Sequence, residues 1–160
     1  MCVKSILASA SIAVALAVVS GPAAPAMEPD AIDVLTDSNP DFAQGRRAVE
    51  SRDWKTAIKW LTAADKRTAN NADVHNLLGF AYRNDGQVEV ALKHYQRALQ
   101  IDPRHRGAHE YIGEAYLVAR NPAKAEEHLA ALKRVCPGVC EEHDDLRKKI
   151  AAYRASNKQQ

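Results

Sequence analysis

The sequence lacks the motifs that mark most enzymes and nucleic-acid-binding proteins. Its 160 residues contain no Gly-x-Ser-x-Gly, no phosphate-binding glycine-rich loop and no His-Glu-x-x-His, the signatures of hydrolases, nucleotide-binding enzymes and zinc proteases. The 22 basic and 20 acidic residues leave a formal charge of +2. This balance offers no basic surface for nucleic acid. The absence of these motifs therefore argues against an enzyme, and the charge balance argues against a nucleic-acid-binding protein.

Long apolar runs are also scarce, because only one is present, at the N-terminus. Residues 5–19 form an uncharged stretch that is shorter than the roughly 20 residues needed to span a bilayer. A lysine precedes the stretch, and Ala24-Pro25-Ala26 follows with the small residues that a signal peptidase reads. We therefore predict a cleaved signal peptide at 1–26 and a periplasmic or secreted product that does not insert into a membrane. A retained membrane anchor is the alternative.

Cysteine is rare, with three in the chain, and Cys2 lies inside the predicted signal. Cys136 and Cys140 enclose three residues, and in an oxidising compartment we expect them to form a disulfide. Closing so short a loop stabilises the fold by about 2 kcal/mol. The alternatives are a thiol-redox pair or a metal site completed by His143. A redox motif usually has two intervening residues, and zinc needs a fourth ligand, for which Glu142 is the local candidate.

An internal repeat is the strongest positive signal in the sequence. Residues 74–82 (VHNLLGFAY) share their pattern of apolar residues with residues 108–116 (AHEYIGEAY). The second segment lies one repeat period, about 34 residues, after the first. The same period relates two further sets, member by member: Ala91, His94, Tyr95, Ala98 and Pro103, against Ala125, His128, Leu129, Leu132 and Pro137. This pattern resembles the tetratricopeptide repeat, both in the length of its period and in the types of residue that recur. The resemblance implies an all-α, right-handed solenoid of helical hairpins.

The period divides the chain into a single domain of repeats with short ends. Counting back one period from Ala72 gives a weaker first repeat, in which Gly45 and Ala57 take the positions of Gly79 and Ala91. We predict a flexible lead-in at 27–37, a repeat domain at 38–156 and a disordered tail at 157–160. The domain comprises repeats at 38–71, 72–105 and 106–139, followed by a capping helix at 140–156. Three repeats and a cap are about the minimum that buries a continuous core.

The resemblance also implies where a partner binds. In tetratricopeptide arrays the first helix of each repeat lines a concave groove that holds a peptide or a partner's helix. Matching those positions gives the predicted groove residues Phe42, Arg46, Asn76, Phe80, Arg83, Glu110 and Glu114. We expect Phe42 and Phe80 to act as apolar anchors, and Arg46, Asn76 and Arg83 to grip a carboxylate or backbone carbonyls. The family's Lys and Asn clamp for C-terminal carboxylates is not reproduced.

The predicted function is thus an exported, non-enzymatic adaptor for a protein or peptide partner, without cofactor or catalytic residues. Two competing functions remain at this stage. One is a thiol or metal carrier that uses Cys136, Cys140 and His143, and the other is self-association through the first repeat. The remaining histidines do not favour a metal site. His75 and His109 occupy one repeat position twice, as do His94 and His128.

Overall fold

A computed structural model describes residues 39–157, and all regular structure in that range is helical. The seven helices follow one another without a strand in the described range: α1 Pro40–Glu50, α2 Trp54–Arg67, α3 Ala72–Asn84, α4 Val88–Ile101, α5 Arg106–Val118, α6 Pro122–Val135 and α7 Glu141–Asn157. Within 39–157, none of the helices has the length and apolar character needed to cross a membrane. The predicted signal peptide, the lead-in and residues 158–160 lie outside the described residues.

Short polar residues begin most of the helices. Asn39, Asp53, Asn71 and Asn121 each accept hydrogen bonds from backbone N–H groups of the first turn, which have no partner inside the helix. His105 does the same for α5 through its Nδ1. Pro40 and Pro122 occupy first-turn positions, where the missing N–H costs nothing. The helix boundaries are therefore set largely by local side-chain chemistry.

The helices pack as successive hairpins, which confirms the predicted all-α helical-hairpin solenoid. Helix α1 packs on α2, α3 on α4, and α5 on α6, while α7 packs on both α5 and α6. Glycine permits the close contact within the first two hairpins. A Cβ at Gly45 would lie 2.6 Å from the Leu61 side chain, and one at Gly79 would lie 2.6 Å from the Tyr95 ring.

The third hairpin differs, because its glycine faces the last helix. A Cβ at Gly113 would lie 2.6 Å from a methyl carbon of Leu146, which belongs to α7. Leu146 and Ile150 are buried, and each follows a buried residue of α5, Ile112 and Tyr116 respectively, by one repeat period. Helix α7 therefore packs against α5 in the register that the first helix of a fourth repeat would take. It ends at Asn157, one residue after the end of the predicted cap.

The core consists of two apolar clusters, which share one tyrosine. One cluster joins α1, α2 and α3 around Leu61 and Leu78, and the other joins α4 to α7 around Tyr95 and Leu132. Tyr82 of α3 packs against both clusters. The hydrophobic core is thus continuous from the first hairpin to the last helix.

Candidate functional site: the face of α3, α5 and α7

Two pockets lie on one face of α3, α5 and α7, at opposite ends of these helices. The first, of about 320 Å³, is lined by residues from the N-terminal halves: Asn76, Gly107, Glu110, Tyr111, Glu141, Glu142 and Asp145. The second, of about 340 Å³, is lined by residues from the C-terminal halves: Arg83, Glu114, Leu117, Val118, Lys149 and Tyr153. The three helices therefore run in the same direction, and we call their shared surface the groove face.

Aromatic rings lie at the centre of the groove face. The Phe80 ring centroid is 5.1 Å from that of Tyr111 on α5 and 5.9 Å from that of Trp54 at the start of α2. The Arg83 guanidinium lies 5.4 Å from the Phe80 ring centroid and 5.7 Å from that of Tyr111, within the range of cation–π attraction. Phe80 is half-buried. Its ring is thus held by neighbouring side chains and remains partly exposed.

An ion-pair network ties the three helices together next to the second pocket. Glu114 of α5 accepts hydrogen bonds from Arg83 of α3 and from Lys149 of α7. Burial acts to raise the pKa of Glu114, but the two cations outweigh burial and hold the pKa below its ordinary value. The Arg83 side chain is 12% exposed and the Glu114 side chain 8%. Arg83, predicted to grip a partner's carboxylate, is therefore already engaged with a carboxylate of its own chain.

Glu110 lies one turn before Glu114 and is much less well paired. In the described range, the ion pair that reaches Glu110 is with Lys149, whose Nζ lies 4.0 Å from Oε1. Burial, together with the nearby charge of Glu114, raises the pKa of Glu110 to about 7. At neutral pH this carboxyl is therefore only partly ionised, which is unusual for a glutamate that borders a pocket.

The other predicted groove residues lie in different surroundings. Phe42 is 5% exposed and belongs to the core cluster of α1, α2 and α3, so its ring is not open to a partner in this conformation. Arg46 is exposed and lines a separate pocket on α1, of about 220 Å³. Asn76 is 7% exposed and lines the first pocket of the groove face. Arg46, Asn76 and Arg83, predicted to act together, thus line three different pockets.

Sequence reasoning missed several residues of the groove face. Tyr111 occupies the same repeat position as Leu77, and the sequence pattern places it among the shared apolar residues. Lys149 and Asp145 come from α7, which was predicted only as a cap. The available signal was the repeat period itself, because its continuation beyond residue 139 places α7 as a further first helix beside α5.

The two cysteines lie at the junction of α6 and α7. Their Cα atoms are 5.9 Å apart, within the usual range for disulfides, and their sulfur atoms are at bonding distance. Glu142 brings a carboxylate oxygen 3.0 Å from the Cys140 sulfur. Cys136, Cys140 and Glu142 are the one group in residues 39–157 with three metal-ligand atoms close together, and His143 is not part of it. The disulfide itself stays a prediction.

The histidines form partly buried pairs that the sequence alone did not reveal. The Nδ1 atoms of His75 and His94 lie 3.2 Å apart, and those of His109 and His128 lie 3.0 Å apart. Each pair joins the two helices of one hairpin. Burial lowers the pKa of all four imidazoles, and the pKa of His128 falls to about 4. Their shared role is structural, as a polar contact inside a hairpin.

Comparisons with known proteins agree with this architecture. Residues 72–105 match the family model described as "Tetratricopeptide repeat". The human protein O-mannosyl-transferase TMTC3 is 31% identical over 87 residues, which are 54% of this chain and 10% of that protein. The chain thus matches about a tenth of the length of this curated relative.

Two solved structures have a similar fold. The TPR2B domain of yeast Sti1 in its pHsp70 complex is 22% identical, with a TM-score of 0.65, over 70% of this chain and 94% of that one. PcrH in complex with the chaperone-binding region of PopD is 19% identical, with a TM-score of 0.65, over 79% of this chain and 95% of that one. Likeness at this level of identity establishes the fold.

Proposed function

We infer that this chain, which has the fold of tetratricopeptide-repeat proteins and carries such a repeat at 72–105, is a non-catalytic scaffold. It holds a peptide segment or a protein partner on the groove face. The observation that carries this function is the presence of two pockets of about 320 and 340 Å³ on one face of a packed helical array. Pockets of this size accept side chains or short segments of a ligand.

The similar structures support the same function. The Sti1 domain is seen in a pHsp70 complex, and PcrH is seen with a region of PopD. The alignment with this chain covers most of the length of each of these two structures. The O-mannosyl-transferase activity in the name of TMTC3 is not part of the proposal, because a tenth of that protein is matched.

We place the scaffold outside the cytoplasm, in the periplasm or as a secreted protein. This location rests on the signal-like residues 1–26 and on the cysteine pair, which an oxidising compartment would keep bonded. Mass spectrometry of the exported protein should give a mature N-terminus after Ala26. An intact N-terminus on the cell-associated protein would contradict cleavage of the signal and favour the retained anchor.

Site-specific photo-crosslinking tests the groove face directly. A photo-reactive phenylalanine analogue at Phe80 should crosslink a partner in cells, whereas the same analogue at the exposed Glu127, on α6, should not. Phe80 is a better site than Arg83, because loss of Arg83 would remove a partner from the buried Glu114 and destabilise the fold. Equal crosslinking from both positions would show that the groove face is not the binding surface.

The thiol or metal carrier is the second candidate, favoured by the cluster of Cys136, Cys140 and Glu142. It requires free thiolates, whereas a stable disulfide leaves none. Mass spectrometry with and without reductant, together with metal analysis of the purified protein, separates the two. A disulfide-bonded, metal-free protein would eliminate the carrier.

A further inference from the structure

The first pocket of the groove face is lined by hydrogen-bond acceptors and by negatively charged side chains. Its lining includes the carboxylates of Glu110, Glu141, Glu142 and Asp145, and no Lys or Arg. Cations approach some of these groups from outside the pocket. Arg106 lies 3.5 Å from Glu142, and Lys148 lies 2.8 Å from Asp145. Both cations are more than half exposed, so they are free to swing away when a ligand enters.

One buried acceptor of this pocket lacks a donor, and a second is only weakly paired with a cation. Asn76 is 7% exposed, and its Oδ1 accepts no hydrogen bond from any of residues 39–157. Glu110 is 9% exposed and has its cation, Lys149, at 4.0 Å, which is beyond hydrogen-bond distance. A buried acceptor without a donor is costly. A ligand that donates to both groups would therefore gain more than an ordinary surface contact.

The geometry favours an extended organic cation over a metal ion. Calcium takes six to eight oxygen ligands around one point. Within the described range, the four carboxylates of this pocket do not bring three ligand atoms together. The Tyr111 ring borders the pocket and already lies within cation–π range of one guanidinium, that of Arg83. A planar guanidinium with several donors matches a spread of acceptors beside an aromatic ring.

We propose that this pocket binds a basic side chain of the partner, arginine in preference to lysine, through Glu110 and Asn76. The proposal rests on the proposed function and names the chemistry of the partner. It also reverses the polarity expected from the sequence, where Arg46, Asn76 and Arg83 were predicted to grip a carboxylate.

The second pocket sets the spacing of the partner's side chains. Glu110 and Leu117 are seven residues apart on α5, which corresponds to about 10 Å along the helix. An extended peptide covers that distance in about three residues. The lining of the second pocket includes Leu117, Val118 and Tyr153, so an apolar side chain fits there. The partner segment should therefore carry an arginine and an apolar residue three positions apart.

Peptide titration followed by NMR tests the proposal. The probe is an acetylated and amidated hexapeptide with an arginine and a leucine three positions apart, made in both orders. The matched probe has citrulline, which keeps the shape of arginine but is neutral. In the purified protein, the arginine peptide should shift the Asn76 side-chain amide and the Tyr111 resonances, and it should bind at least about tenfold more tightly than the citrulline peptide. Equal binding of both peptides, or no shift with either, would overturn the proposal.

A glutamate variant localises the effect. Glu110→Gln should lower the affinity for the arginine peptide about tenfold or more and leave the citrulline peptide unaffected. Glu127→Gln on α6 makes the same charge change on an exposed site away from the groove and should have no effect. Circular dichroism confirms that both variants are folded. Unchanged arginine affinity in Glu110→Gln would refute the assignment of the site.

The pH dependence provides a second readout. Because the pKa of Glu110 lies near 7, its carboxylate becomes fully available only above neutral pH. Affinity for the arginine peptide should therefore rise between pH 6 and pH 8 in the wild type and stay flat in Glu110→Gln. A flat wild-type profile would contradict the role of Glu110.

These outcomes distinguish a failure of the arginine site from a failure of the proposed scaffold function. If Phe80 crosslinks a partner but Glu110→Gln does not reduce that crosslinking, the groove binds a partner and the arginine site is wrong. If Phe80 gives no crosslink above the Glu127 control and no peptide shifts the groove resonances, both are wrong.

Discussion

One backbone position in each hairpin turn adopts a left-handed conformation. The residues there are Arg52, Gly86 and Arg120, with φ of 59°, 84° and 57°, and successive members are separated by one repeat period. Glycine adopts this conformation without the clash that a Cβ creates. The two arginines carry a cost of about 1–2 kcal/mol that the glycine avoids.

Arg120→Gly should therefore stabilise the fold by about 1 kcal/mol, after allowance for the greater freedom of glycine in the unfolded chain. Arg120 is exposed, so little packing is lost. Urea unfolding followed by circular dichroism measures the change. Arg120→Ala is the control, because alanine keeps the Cβ and should give no gain. Equal stabilisation by both substitutions would mean that loss of the charge, and not backbone strain, is responsible.

Tyr95 carries a hydroxyl in the core without a hydrogen-bond partner among residues 39–157. The side chain is fully buried, and burial raises its pKa. An unpartnered buried hydroxyl costs about 1–3 kcal/mol. The ring itself is needed, because it fills the space opposite Gly79.

Tyr95→Phe should therefore leave stability unchanged or raise it by about 1 kcal/mol, while Tyr95→Ala should lower it by several times that amount. Thermal unfolding of the two variants measures both effects. Destabilisation by Tyr95→Phe would show that the hydroxyl is hydrogen-bonded in solution.

Within a hairpin, the paired histidines link the two helices by a bond that acid breaks. One Nδ1 must donate and the other must accept, so the contact survives only while at least one imidazole is neutral. In the third hairpin, His128 faces His109, the Tyr116 ring and Lys124, and His109 also faces the Pro103 carbonyl and Arg134. Burial first, and then His109 and Lys124, lower the pKa of His128 from 6.5 to about 4.

The sign of the pH effect follows from that shift. Because the folded protein binds the proton less tightly than the unfolded chain does, the stability from this group is complete above about pH 6.5. It is lost progressively as the pH falls from 6.5 towards 4. His128→Gln should lose less stability over this range than the wild type. The stabilities of the two proteins are compared at each pH, because Glu110 gives both of them a pH dependence of stability with the opposite sign. Parallel profiles would show that His128 does not titrate differently on folding.

The helices could be predicted from the sequence because their determinants are local and repeat. The repeat period placed the hairpins, because α3 starts at Ala72 and α5 at Arg106, the first residues of the two predicted repeats. The contact of His75 with His94 could not be predicted from the repeat. The repeat period relates each histidine to the equivalent one in the next hairpin, and not to its neighbour in the same hairpin. The partners of Arg83 and Glu110 were hidden because they lie on neighbouring helices. Arg83 pairs with Glu114 of α5, and Glu110 depends on Lys149 of α7, whose position relative to α5 is fixed by the tertiary contact of Leu146 with Gly113.

Stability should be shared along the whole array, because each hairpin shelters an apolar face of the next. Tyr82 joins the two core clusters, and the contacts of Glu114 link α3, α5 and α7. The cysteines lie at one end of the array, between α6 and α7. The two tryptophans of the chain, Trp54 and Trp60, lie at the other end, in α2.

Reduction of the predicted disulfide should therefore be detected at the distant tryptophans. Opening a five-residue loop should lower the free energy of unfolding by about 2 kcal/mol. If the array unfolds as one unit, tryptophan fluorescence and circular dichroism should report the same lower urea midpoint when reductant is added. The double variant Cys136→Ala/Cys140→Ala should show the lower midpoint with and without reductant. A shift by circular dichroism alone would show that the last helix detaches while the first hairpin stays folded, and no shift by either probe would show that the cysteines are not paired.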